Sequence, residues 1–139
     1  MGIKSYTDIE QSRKLAEILP LESADMVITF DYTNGEYIPN KPSINLYLKC
    51  HTMLLRYFDK EETDRRVVPC WSLAALLGVI PKRIKDYNVL RIDISNNDFA
   101  IWYDEIGYGV NNDLPNITTE SAVDACYEMI IKLHELNLL

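Results

Sequence analysis

Two histidines and three cysteines are all that a chain of 139 residues offers for metal or nucleophile chemistry. Cys50, Cys70, Cys126, His51 and His134 show none of the paired spacings of a zinc site, so no metal and no cofactor is expected. Cys126 and His134 sit on one helical stretch, about 12 Å apart along its axis at ~1.5 Å per residue. Cys50 and His51 are neighbours and point to opposite faces if extended. Only a dyad assembled from distant segments, such as Cys70 with His51, would set a thiolate beside an imidazole. Glycine is scarce, five in all, and there is no Gly-rich phosphate loop, nucleophile elbow or HExxH. Positive charge is also short: 14 Lys and Arg against 21 Asp and Glu give a net −7, which favours solubility and argues against a nucleic-acid partner. No apolar run is long enough to span a bilayer. The opening Met-Gly-Ile-Lys-Ser-Tyr lacks the apolar stretch of a signal peptide, and Gly2 followed by Ser5 and Tyr6 misses the myristoylation pattern. A cytoplasmic protein with free cysteines acting as small core hydrophobes is therefore expected.

What is present is an apolar segment at residues 67–81, where Ser72 is the one conventionally polar side chain. Its Leu and Ala content predicts a helix, stopped at Pro81 and enclosed because it has no polar face. The Thr7/Glu10 pair reads as a capping box opening a helix over residues 8–19. Met26, Ile28, Phe30 and Tyr32 alternate as a strand, and Asn34-Gly35 is the favoured two-residue hairpin turn, setting Tyr37 opposite Tyr32. Residues 43–58 fit a strand or a helical face; their β-branched and aromatic content tips the reading to strands. Residues 59–66 read as a charged loop. A second hairpin turning at Asn96-Asn97 pairs Ile94 with Phe99, Ile92 with Ile101 and Leu90 with Tyr103 on one apolar face. The last helix is expected to run to the chain end, with Ala122, Cys126, Met129, Leu133 and Leu136 as its seam and Ser121 or Thr118 as its cap. The fold class is α+β: one domain with a largely antiparallel sheet of about five strands and three helices, the middle one buried.

Three constellations invite a chemical reading. Asp93, Ser95, Asn97 and Asp104 fall on positions of a calcium loop, but Asp98 stands where the glycine is needed, and position 12 is not Glu. Asp104 and Glu105 would serve acid/base work in a small hydrolase-like enzyme; the simpler reading is a solvated strand end. Trp102 is placed away from the apolar hairpin face and across from Arg91. An exposed Trp-Arg pair is what a partner-binding spot looks like, unless a helix covers that face too.

The runs KSYTDIEQS at 4–12 and LPLESAD at 19–25, PCWSLAALL at 69–77, and DACYEMIIKLHELNLL at 124–139 resemble a group of short uncharacterised proteins from gut Bacteroides-type bacteria. That group is linked to prophages or other mobile elements. The resemblance covers about half the chain. It implies a bacterial cytoplasm and a phage-type gene context, and it carries over no activity and no site residue. The leading functional expectation is a non-catalytic binding or accessory module for an unidentified protein partner, with Trp102 and Arg91 as contact candidates and the acidic charge suiting a basic partner surface. The rival is the hydrolase-like enzyme using Asp104/Glu105 or a Cys/His pair. A homodimer through the sheet edge or the Leu-rich C-terminal helix is a third option.

Overall fold

The computed structural model describes residues 3–139, so Gly2 lies outside it. The chain is α+β, with nine strands in two antiparallel sheets and five helices among the described residues. It divides into two compact units: Tyr6–Ala75, and Leu76–Leu139 together with the residues up to Ser5.

In the first unit, α1 (Ile9–Ala16) starts one residue later than the sequence suggested. Asp8, not Thr7, is the cap: its carboxylate accepts from Gln11 N at 2.8 Å, and the Gln11 side chain accepts from Asp8 N at 3.2 Å. Thr7 is buried and its hydroxyl is engaged elsewhere, accepting from Trp71 N at 3.1 Å and meeting Ser12 Oγ at 2.7 Å. The first hairpin, β1 (Met26–Thr33) and β2 (Glu36–Pro39), has the expected register, with Tyr32 opposite Tyr37. Asn34 (φ 53°) and Gly35 (φ 81°) both take the positive φ that the turn requires.

β1 also pairs with β3 (Ser43–Ile44) and with β4 (Val67–Cys70). The second pairing corrects the central expectation. The buried centre of the segment is a strand at its start, with both faces covered: Val68 and Cys70 pack with Met26, Ile28 and Phe30, while Val67 packs with Val27, Tyr47 and Cys50. A strand buried on both faces loses its alternation, so its periodicity is that of an enclosed helix. The helix itself, α4 (Leu73–Val79), is short. Trp71 and Leu76 are fully buried as expected, but Ala74 and Gly78 face solvent. Ser72 marks its start by accepting from Ala75 N and bonding Asp25.

Two further segments differ from expectation. Beyond β3, residues 47–54 form a helix, α2 (Tyr47–Leu54), whose inner face is Tyr47, Cys50 and Leu54. The supposed charged loop is α3 (Lys60–Arg66). Asp59 caps it, and Lys60–Asp64, Arg65–Glu61 and Arg66–Glu62 form ion pairs one turn apart.

In the second unit, β5 (Arg83–Ile84), β6 (Asn88–Ile94), β7 (Phe99–Glu105) and β8 (Gly109–Val110) lie in that order, with β9 (Ile117–Thr119) on β7. The β6–β7 register is the expected one throughout, Arg91 facing Trp102. Phe99, Ile101 and Tyr103 are buried, but Ile92 and Ile94 on the same face are 42% and 75% exposed. The last helix, α5 (Ala122–Glu135), buries Cys126, Met129 and Leu133 with Val123 and Ile130, whereas Leu136 is half exposed. Ser121 is its cap and Thr118 lies in β9. It stops short of the chain end because Asn137 takes a left-handed φ of 58°, letting Leu138 N donate to Leu133 O and Asn137 N to His134 O. No helix among the described residues is long and apolar enough to cross a membrane.

Candidate binding surfaces

Trp102 is half-buried, and neither it nor Arg91 is a loose surface group. The indole Nε1–H donates to Asp104 Oδ1 at 2.8 Å and the Arg91 Nε–H to Asp104 Oδ2 at 3.3 Å. Both expected contact residues thus converge on one carboxylate. That carboxylate is also the last position of the calcium register.

The paired acids do not act together. Adjacent residues on a strand point to opposite faces, so Asp104 joins Arg91 and Trp102 while Glu105 lines a cavity of ≈ 360 Å³. Other cavity walls come from Lys85, Tyr87, Asn88, Asn111 and Leu138. Its most buried polar group, Asn88, is already bonded: its Nδ2 donates to Ile84 O and its Oδ1 accepts from Asn111 Nδ2 at 2.9 Å.

All three cysteines are free and buried. Burial pushes the Cys50 and Cys70 thiols up and carries Cys126 from 9.0 to about 11, the reverse of what a nucleophile requires. Cys70 Sγ donates to Thr7 O at 3.4 Å. His51 Nε2 meets Asp64 Oδ1 at 2.8 Å. The dyad Cys70–His51 is not assembled, since each member is committed to another partner. Hydrogen bonds from Lys60 and then His51 hold the Asp64 carboxyl below its usual range.

The surface that sequence reasoning missed is on α2 and the residues beside it. Of seventeen large hydrophobics that face solvent among the described residues, six lie between positions 44 and 57: Ile44, Leu46, Leu48, Met53, Leu55 and Tyr57. Burying Tyr47, Cys50 and Leu54 inward turns Leu48, Thr52, Met53 and Arg56 outward, since positions three and four apart share a helix face. With Lys49 they line a groove of ≈ 500 Å³. The charge there is reversed from the chain as a whole. Residues 40–58 contain Lys41, Lys49 and Arg56 and no acid, so the net −7 of the chain is +3 here and −10 elsewhere. A sequence signal existed: the segment has more large apolar residues than one buried face of a strand or helix can absorb.

No protein-family model matches this chain, and no curated protein or solved structure matches it significantly.

Proposed function

We propose that this protein is a non-catalytic binding module that docks a protein partner through the outer face of α2. The observation that carries the reading is the groove lined by Leu48 and Met53 together with Lys49, Thr52 and Arg56. Exposed apolar area collected in one place, rather than scattered singly, is the mark of an interaction site. The partner that fits presents apolar side chains bordered by carboxylates, as an acidic amphipathic helix laid along α2 does. The basic partner surface suggested by net charge applies elsewhere on the chain, because partners meet the local field. A prophage or mobile-element setting, implied by the resemblance of the three sequence blocks, is in keeping with a small accessory module. The hydrolase-like alternative draws less support, since Asp104 is engaged by Arg91 and Trp102 and the thiol pKa values are raised.

Site-specific photo-crosslinking in a native bacterial host tests this. A crosslinker at Met53 should capture one protein that a crosslinker at exposed Thr33 does not. The purified partner should bind with an affinity that falls as salt rises. Equal capture from both positions, or no binding by the purified partner, would count against the reading.

A further inference from the structure

The cavity of ≈ 360 Å³ beside Glu105 is built wholly within the second unit and shares no residue with the α2 groove. Phe99, Ile101 and Tyr103 lie on the buried face of β7, and alternation puts Glu105 on the same face. Register places Ile84, Asn88 and Glu105 in one row across β5, β6 and β7. That row lines the cavity together with Leu136 and Leu138, which follow the end of α5. Two amides tie the walls together. Ile84 O accepts from Asn88 Nδ2 at 3.1 Å, Asn88 Oδ1 from Asn111 Nδ2 at 2.9 Å, and Asn111 Oδ1 from Asp113 N at 2.9 Å. This network fixes the loop carrying Asp113 and Leu114 to the sheet, so the cavity is preformed. Two of its features are unexplained by folding. Lys85 and Asp86, between β5 and β6, both take left-handed φ, 53° and 61°, which disfavours residues with a Cβ. Strain of this kind persists where a site is held in shape, and Lys85 lines the cavity. The second feature is unpaired charge. Lys85, Glu105 and Asp113 all line the cavity, and among the described residues none of them forms an ion pair.

We propose that this cavity binds a free amino acid with an apolar side chain. The ligand ammonium is taken by the Glu105 and Asp113 carboxylates. Its carboxylate is taken by Lys85 and by the second amide hydrogens of Asn88 and Asn111, which the network leaves unused. Ile84, Leu114, Leu136 and Leu138 receive the side chain. A ligand of one sign would leave a lining charge of the same sign unanswered, whereas a dipolar one meets both. The volume is at the small-molecule end of ligand sites, and apolar walls with a few placed polar groups are their usual composition. Lys85 and Asp113 are exposed and Glu105 is half-buried, so the charged groups are reachable from solvent.

Calorimetric titration of the full chain with L-leucine, L-valine, L-methionine and L-phenylalanine tests the proposal. At least one should bind with a Kd below about 1 mM and shift the side-chain amide resonances of Asn88 and Asn111. For L-leucine the two charges can be removed one at a time: isoamylamine lacks the carboxylate and isocaproate lacks the ammonium. Each should bind the unaltered protein at least about tenfold more weakly than L-leucine, having lost its charge-assisted bonds. Glu105→Gln should weaken L-leucine by about as much while leaving isocaproate unchanged. Lys85→Gly should weaken L-leucine and leave isoamylamine unchanged. Its denaturation midpoint should not fall, because glycine takes the left-handed φ freely. Absence of binding by all four amino acids at about 10 mM, equal binding of L-leucine and both analogues, or unmoved Asn88 and Asn111 resonances would each overturn the proposal.

Discussion

Asp104 decides what Trp102 is. The indole N–H donates to a half-buried carboxylate that Arg91 also reaches, so the half-buried tryptophan is held in place through its polar edge. Trp102→Phe keeps an aromatic ring and removes the donor. Loss of a hydrogen bond to a charged acceptor should lower the unfolding free energy by about 1.5–3 kcal/mol, read from a denaturation curve. An unchanged curve would mean that the bond contributes nothing. The position of Trp102 opposite Arg91 was legible from strand alternation. Alternation also puts Asp104 on the Trp102 face, but its role as their shared partner was hidden, because alternation reports a shared face and not which groups on it bond. The same holds for Thr7: its sequence position suits a cap, but Trp71, far along the chain, takes its hydroxyl.

Among the elements, hairpins were readable because turn chemistry and apolar alternation agree on one register, as at Asn34-Gly35 and Asn96-Asn97. β4 and α2 were not, because burial is a tertiary fact. Val67 and Val68 are buried on opposite faces of β4 only because α2 covers one side and α1 the other, and α2 hides one face while leaving Leu48 and Met53 in water on another. α3 was hidden for a different reason: its residues bury little, and its stability rests on a cap and ion pairs. This gives α3 an acid sensitivity. The Asp64 carboxyl is depressed by Lys60 and His51, and Glu62 by Tyr37 and Arg66, so both contribute stability above their unfolded pKa values. That contribution is lost as pH falls through the depressed folded values, below about pH 4. Amide exchange within residues 60–66 should quicken there before β1 and β4 are affected. Simultaneous opening of both would show that α3 has no separate stability.

For the whole molecule, the α+β class followed from the mixture of periods, but the division of strands between two sheets did not, since alternation reports that a strand exists and not which strand it joins. Leu76→Ala should cost about 2–5 kcal/mol in unfolding free energy, as expected for a fully buried leucine. At high pH the sign is opposite to that at α3. Burial raises Cys126 to about 11 and Tyr103 well above the ordinary tyrosine range, so the neutral forms stabilise the fold. That stability is complete below pH 9.0 and declines as pH rises toward 11, which a series of denaturation midpoints would reveal. The central claim, that α2 hides one face for folding and offers the other for binding, is tested most directly by the double variant Leu48→Asp/Met53→Asp. Its unfolding free energy and its affinity for the protein captured at Met53 should be measured on one preparation. Stability should stay within about 0.5 kcal/mol of the parent, as for surface positions, while binding weakens by at least about 2 kcal/mol, or ~30-fold. Undiminished binding would contradict the account, as would a stability loss above about 2 kcal/mol, which would make those side chains part of the core.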